Sequence, residues 1–578
     1  MKFLRNVIAF AALACLSLTA QQITGNIRGT VTDPSGAVIR NASVTARQTE
    51  TGLSRSAVTD RDGNYVLLEL PVGHYRLQVA ATGFQEYVQD GITINVNQTA
   101  SVSPRLAVGS EKEQVEVSAD AQLIEPTVTS MGKVVQQREL EDLPLNGRNF
   151  SQLGLLQPGV VPLTPGVAEA GGSLRNGQAY AVNGQRPESN NFLIDGANNF
   201  NGVDGGFILK PPVDAIREFR IITHNANAEF GGALGSTTNL VTRSGTNQIH
   251  GTLWEFLRND AVDANNYFAQ TKEPLKQNQF GAAIGAPIRK DKTFVFGFYE
   301  GFRNRQGESA LTTVPSVKQR SGDFSELCPE GFTAGFCSNP QHQLFNVFAN
   351  APYPNNQVPQ NQINSVSKNL LSFFPLPNAG TNLLSTTQTL KNDSDQFGIK
   401  VDHYLDSHDT LNFRYAFNQL SQLDPLSPNG ASVPGFPVGE DQRAQNFVAE
   451  ETHTFSPTLI SVARFSFLRN KFLFGEREDH QAPSTLGFQY TPSLEVAAGP
   501  PFIQVNGYST VGDPITGPRN TYENVFDFSG SLSWVHGKHE LKFGGGYQHQ
   551  QINVQQGIAT NGFFVFVPFP VTDAFASS

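Results

Sequence analysis

The chain has 578 residues, too many for one ordinary domain, so several hydrophobic cores are expected. A formal net charge of −10 argues against a nucleic-acid partner, which needs a basic face. A mean hydropathy of −0.28 argues against a helical membrane protein but leaves a β-barrel open, because lipid-facing and lumen-facing residues cancel along each strand.

Lys2 and Arg5 form a basic region, residues 7–18 an apolar core, and Ala20 a cleavage point, the pattern of an export signal over residues 1–20. A lipoprotein signal with Cys15 as acceptor is the rival reading, but Ala12 stands where Leu is preferred. No later apolar run approaches the ~18 residues of a spanning helix, so export without a helical anchor is expected.

Residues 23–108 alternate in short stretches: Ile27, Gly29, Val31; Val44, Ala46; Tyr65, Leu67; Tyr75, Leu77, Val79. Turn signals at Asp33-Pro-Ser-Gly and Asp60-Arg-Asp-Gly break them, and this spacing predicts a small β-sandwich. The module resembles the carboxypeptidase regulatory-like domain family, with Gly29, Asp33, Gly36, Asp60, Gly63, Tyr65, Gly73 and Tyr75 where that pattern expects them. The resemblance implies an accessory sandwich and no peptidase activity. Asp60 and Asp62 offer half of a calcium loop, but the other ligands are missing, and a turn accounts for them.

A polar connector over 109–119 contains Glu113, Gln114, Val115, Glu116, Val117, Ser118 and Ala119, which reads as a short edge strand or a linker. Beyond it, Leu140 and Leu143 are spaced for one face of a short helix that Pro144 ends. VNGQRPESNNFLIDGANN follows, with turn-prone blocks around Phe192-Leu-Ile. Val213, Ile216 and Phe219 are spaced for another short helix before Ile221 and Ile222. The segment then closes on EFGGALGSTTNLVTRSGTNQIHGTLWEF (residues 229–256), where Gly231, Gly232 and Gly235 permit tight turns and a strand-like run covers residues 239–242.

This last stretch resembles the end of the plug domain in TonB-dependent outer-membrane receptors, where a TRSGTN-like turn and a His-Gly pair lead into the first barrel strand. LPLNGRNF, VNGQRP-x-SNNF-L-x-DG and P-x-D-x-I-R-EF each match the Oar-like branch of the same family. The resemblance implies a plug over 120–248 and makes residues 113–119 a TonB box, an extended segment suited to adding to a partner's sheet. Asn183, Arg186 and Asp195 are candidate ligand-facing residues of the plug, although plug turns need the same residue types for structure.

From residue 249 onward, short charged turns alternate with much longer segments (258–277, 304–394, 420–444, 469–522), the habit of outer-membrane barrels. The strands are dyadic. Leu411, Phe413, Tyr415 and Phe417 oppose Asn412, Arg414 and Asn418; Phe397, Ile399 and Val401 oppose Lys400 and Asp402. Arg and Lys on the second face fit a wet lumen better than a soluble sandwich. Trp254, Tyr404 and Trp534, near strand ends, are candidates for an interfacial girdle. Cys328 and Cys337 are read as a disulfide closing a small loop, since a metal site would lack partners beyond Glu326 and Glu330. Nine strands are counted, ending at residues 540–548. The family's 22-stranded barrel then implies an N-terminal fragment, with 249–578 a partial barrel.

The expected fold is therefore mainly β: an N-terminal sandwich, a small α/β plug and an incomplete antiparallel transmembrane barrel. No serine-elbow, zinc-helix or phosphate-loop motif occurs, so neither catalysis, a cofactor nor a metal is expected. Asp393 with Asp395, and Asp406 with Asp409, could be paired acids, but they sit at loop or turn edges and are expected to be solvated. The resemblance implies import of a nutrient, an oligosaccharide or a peptide, across the outer membrane, with sandwich and plug on the periplasmic side. Its implied partners are a TonB-type energy-transducing protein, outer-membrane lipid, the barrel assembly machinery and an extracellular ligand. A secreted or surface adhesion protein built of β-domains is the alternative from another class.

Overall fold

The computed structural model describes residues 23–109, 114–118, 130–143, 145–162, 180–202, 205–231, 234–265, 272–428, 430–476, 481–492, 499–537 and 539–567. The export signal, with Lys2, Arg5, Cys15 and Ala20, lies outside the described residues, as do Glu113, Ala119, Pro144 and Gly232.

The alternating stretches of the first module become seven strands: β1 (Thr24–Thr30), β2 (Ser43–Gln48), β3 (Ser54–Val58), β4 (Asn64–Pro71), β5 (Gly73–Ala80), β6 (Glu86–Ile94) and β7 (Thr99–Ser101). They form two sheets, β4-β1-β7 and β3-β2-β5-β6, and the second gains an eighth strand, β8 (Gln114–Ser118). Ile27, Val44, Leu77 and Val79 are fully buried between the sheets. Asp60 is a turn residue: its Oδ1 accepts the backbone N–H groups of Asp62 and Asn64 at 2.8 Å each.

The plug begins with β9 (Met131–Gln136) and helix α1 (Gln137–Asp142), which buries Leu140 and leaves Leu143 exposed. A hairpin of β10 (Val160–Pro162) and β11 (Tyr180–Val182) precedes a five-stranded sheet. That sheet runs β13-β12-β15-β14-β9, from β12 (Asn191–Ile194), β13 (Ala197–Asn198), β14 (Ile216–His224) and β15 (Thr237–Thr242). The helix expected around Val213–Phe219 is not formed. Val213–Ala215 makes one 3-10 turn, and Ile216 through His224 is the strand β14. The i, i+3 spacing there is coincidental. β14 lies between β15 and β9 and is buried on both faces, so its apolar residues run almost continuously as they do in a central strand.

The rest of the chain builds one antiparallel sheet in which neighbours in sequence are neighbours in space: β16 (His250–Asn259), β17 (Leu275–Arg289), β18 (Thr293–Thr313), β23 (Leu383–Tyr404), β24 (Asp409–Asp424), β25 (Val438–Ser456), β26 (Leu459–Glu476), β28 (Thr516–His536) and β29 (His539–Ile558). The nine counted strands are all present. Among the described residues the wall is open, with β16 and β29 at its edges. Its short connections are 290–292, 405–408, 457–458 and 537–538, all at one end. The strands run further than the sequence suggests at the other end: β18 and β23 stay in register up to Thr313↔Leu383, so both ends of 304–394 are wall.

Side-chain burial on the wall is inverted relative to a soluble sheet. Phe397, Ile399, Phe413 and Phe528 are exposed on the outer face, whereas Lys400, Asp402, Arg414 and Arg464 are buried on the inner one. The inner face carries the plug, whose apolar core continues into Ala416, Ala444, Leu468 and Val525 of the wall. Two of the three expected girdle residues face inward. The Trp254 indole donates to Glu300 Oε2 at 3.2 Å, and the Tyr404 hydroxyl meets Thr51 Oγ1 of the sandwich at 3.2 Å. Only Trp534 lies on the outer face, because strand parity rather than nearness to a strand end sets direction.

Candidate functional site: the plug, its seat and the loop cap

Three regions carry polar or concave features that a transport function would use. The first is the seat of the plug on the wall. Asp195 follows β12 in the tight NFLIDG turn, with φ near +47°, and is buried. Its Oδ1 and Oδ2 accept the backbone N–H and the hydroxyl of Thr242, at 2.9 and 2.6 Å. The same carboxylate faces the wall, with Arg414 Nε at 2.8 Å and Lys400 Nζ at 3.6 Å. Burial alone would raise its pKa; the Lys400 and Arg414 cations and the Thr242 bonds outweigh that and hold it below the usual carboxylate range. The next residue, Gly196, has φ of +67°, and a Cβ there would stand 2.4 Å from Arg464 Nη1. That guanidinium donates to Gly196 O at 3.0 Å and is paired with Glu450. The Asp-Gly pair is thus fixed by charge on one residue and by lack of a side chain on the other.

A second pin joins two motif blocks. Arg148 of LPLNGRNF pairs with Asp214 at 2.7 Å and lies over the Trp254 and Phe256 rings of the first wall strand, at 5.6 and 4.5 Å. The hinge is clamped as well. Asn247 of the SGTN run donates to Asp291 Oδ1 at 2.7 Å and accepts from the Asp291 N–H at 2.8 Å, which ties the end of the plug to the first short turn.

The second region is the junction where the sandwich meets both plug and wall. Arg220 of β14 donates to Val96 O at 2.6 Å and Asn97 O at 2.9 Å, and Glu218 accepts the Val96 N–H. Burial pushes the Glu218 carboxyl up to about 7, against that hydrogen bond and the nearby Arg217 and Arg220 cations. Glu50 pairs with Arg217 at 3.1 Å and with His74 at 2.7 Å. Burial would raise Glu50 too, but the hydrogen bond to His74 and the Arg217 guanidinium bring it down to about 2. On the wall side, Arg55 reaches Ser407 O at 3.3 Å, and buried Glu69 accepts from Ser533 at 2.9 Å with Lys542 at 3.6 Å. Ser407 belongs to a short turn, so the sandwich sits at the short-turn end. A polar cavity of about 80 Å³ lies where the three bodies meet, lined by Glu50, Arg55, Glu69, Lys400, Asp402 and Glu450 among others.

The third region is at the opposite end. The long connections fold into a cap with its own core of Val314, Phe374, Val433, Phe436, Ile503 and Val511. Helix α2 (Val317–Arg320) starts it, with a reciprocal Ser316–Gln319 capping box. Two small hairpins follow, β19 (Phe332–Thr333) with β20 (Phe336–Cys337) and β21 (Phe345–Asn346) with β22 (Ala351–Pro352), then helix α3 (Ser365–Leu371). A parallel pair, β27 (Phe502–Val505) with β30 (Phe563–Phe566), completes the cap. Cys328 and Cys337 are joined as a disulfide beside the first hairpin. Within the cap lies a cavity of about 370 Å³, lined by Phe324, Phe345, Phe348, Tyr353, Leu370 and Phe374 with Asn346, Gln362 and Asn364 at its polar positions. No Asp, Glu, Lys, Arg or His is among its described lining residues.

The candidate plug residues are not brought together. Asn183 and Arg186 share an exposed turn after β11, where the Asn183 amide donates to Thr223 O at 2.9 Å. Asp195 is instead committed to the wall. Sequence parity had already placed Lys400 and Arg414 on the inner face; what it lacked was their plug partner, since the contact spans about 200 residues of chain. The acid pairs are partnered too, and Asp393 and Asp395 lie inside β23 rather than at a loop edge. Asp395 and Asp393 bind Arg303 and Arg305 across β18 and β23, at 2.8 and 2.6 Å, while Asp409 pairs with His453 at 2.5 Å. Asp409, Glu451 and His453 together form the one cluster of metal-capable side chains found among the described residues. Of the segment 113–119, expected to be a box, Gln114 through Ser118 are in β8.

Comparison with known proteins agrees with this architecture. The outer membrane beta barrel domain family matches residues 241–577, and the carboxypeptidase regulatory-like domain family matches residues 26–107. The TonB-dependent transporter Oar of Myxococcus xanthus is 27% identical over 330 residues, 53% of this chain and 29% of that protein. A protein of Acinetobacter baumannii named as a probable TonB-dependent siderophore receptor, PirA, is 28% identical over 191 residues, 31% of this chain and 23% of its own length. The outer membrane transporter YddB of Escherichia coli superimposes with a TM-score of 0.42 at 12% identity, over 73% of this chain and 48% of that one. The chain thus spans less than a third of the curated relatives it matches. With more than half of its residues in the barrel match and a carboxypeptidase regulatory-like sandwich at its N-terminal side, the chain belongs to the outer membrane beta barrel domain family.

Proposed function

We propose that the protein takes part in importing a nutrient, an oligosaccharide or a peptide, by transport coupled to a TonB-type partner. The observation that carries the reading is the seat of the plug. Its apolar core is shared with the wall, yet its position is fixed by the buried ion pairs of Asp195 with Lys400 and Arg414. Such pairs specify geometry while their desolvation offsets most of their attraction, so the seat is well defined without being deep. A plug that must leave its seat and return needs that combination.

The ligand class follows from the cap. Its cavity is aromatic and amide-lined, with no charged group among the described lining residues to balance an anionic iron chelate. Amides and aromatic faces suit sugar hydroxyls and rings, or peptide groups and apolar side chains. Short turns of outer-membrane barrels face the periplasm, which puts the cap outside and the sandwich inside. Capture at the cap reaches the partner only through a difference in affinity between seated and displaced plug states. The segment 113–119 precedes β9, an edge strand of the plug sheet, so traction on it would load the plug at an edge.

Deleting residues 113–119 tests the coupling. With fluorescent maltodextrins and tetrapeptides as probes, accumulation should be abolished while binding to the cell surface is unchanged. Loss of both together would refute the assignment.

A further inference from the structure

We propose that the sandwich is a platform for the box. It presents β8 as an ordered edge strand to which the energy-transducing partner adds, so that docking makes one sheet from two proteins. The proposal rests on reading residues 113–119 as the partner's box.

β8 pairs in parallel with β6 over five positions, from Glu86↔Gln114 to Asp90↔Ser118. Among the described residues it closes the sheet β3-β2-β5-β6-β8 at one edge. Successive backbone groups of an extended strand point to opposite sides, so pairing with β6 occupies one set of donors and acceptors and leaves the alternate set facing outward. An outward row of N–H and C=O groups is what strand addition takes. The support beneath is firm. β6 is paired on its other side to β5, and Val88, Ile92 and Ile94 are buried. The partner therefore meets a segment already extended and held, and the ordering cost that a free linker imposes on docking is largely absent.

The platform also leads to the plug. β6 ends at Ile94, and two residues later Val96 and Asn97 are gripped by Arg220 and Glu218 of β14. Events at the β8 edge therefore reach a central plug strand through a short bonded segment, in parallel with the linker to β9.

The test uses the full chain in detergent, carrying Glu86→Cys with Gln114→Cys at matched positions of the two strands. It is titrated with the purified periplasmic domain of the partner, oxidised and reduced, with the unmodified chain under the same reductant as reference. A platform predicts that the cross-link forms and that the oxidised chain binds within about threefold of the reduced one. Amide exchange over 114–118 should be slowed in the free chain and slowed further in the complex. A cross-link that blocks binding, amides of 114–118 that exchange freely before binding, or amides released from protection on binding would each overturn it. A chain lacking residues 113–119 separates the two claims: if it binds the partner as well as the intact chain, the box reading itself fails, whatever the cross-link does.

Discussion

At the scale of single residues, the positions that matter most carry charge out of water. Asp195 neutralises two wall cations, and removing it leaves Lys400 and Arg414 buried with one counter-charge fewer. Breaking a buried pair from one side typically costs about 3–5 kcal/mol. Asp195→Ala should therefore unseat the plug while the wall stays folded, seen as faster proteolysis between β12 and β15 and as raised permeability to small antibiotics. Glu218 makes a prediction with a definite sign. Its carboxyl is raised when the sandwich is docked, so its contribution is complete below the ordinary glutamate range and is lost as pH rises through about 7. Glu50, which is depressed, contributes above the ordinary range and loses its effect only as pH falls toward about 2. Between pH 6 and 8 the loss of the Glu218 contribution should weaken docking by roughly 1–1.5 kcal/mol. Hydrogen exchange at residues 95–98 should report the change, and Glu218→Gln, which keeps an acceptor for the Val96 N–H, should flatten it.

At the scale of elements, the cap is stapled where its own core is thin. Closing a loop of about ten residues by a disulfide restricts the unfolded loop by ~2.5–3 kcal/mol. Replacing Cys328 and Cys337 together by Ser should make residues 328–356 protease-sensitive and lower surface binding of the probes, with the wall still resistant. Elements were legible in the sequence where a period met its punctuation. The sandwich strands lay between Asp33 and Asp60 turns, and the wall strands between short charged turns. β14 was misread because Val213, Ile216 and Phe219 satisfy a helical spacing, and only the neighbours that bury both of its faces make it a strand. The motif blocks of the plug were legible as patterns, not as reasons. That Arg148 exists to reach Asp214 and Trp254, or Asp195 to reach Arg414, depends on contacts between segments far apart in the chain, which no local period encodes.

At the scale of the whole molecule, the inverted wall is the property that defines its solvent. Phe413 is exposed and Arg414 buried one residue later. Phe413→Arg should hinder insertion, by about 2–4 kcal/mol if the site lies near the bilayer midplane, and heat-modifiable mobility on gels should be lost; Phe413→Leu should be tolerated. The same architecture sets the route inward. The sandwich is bonded both to the plug, through Arg220 and Glu50, and to the wall, through Ser407, Ser533 and Lys542. On the transport reading proposed above, cargo that slips past a loosened plug would next meet the sandwich, a second door hung from the same frame and fastened to the first.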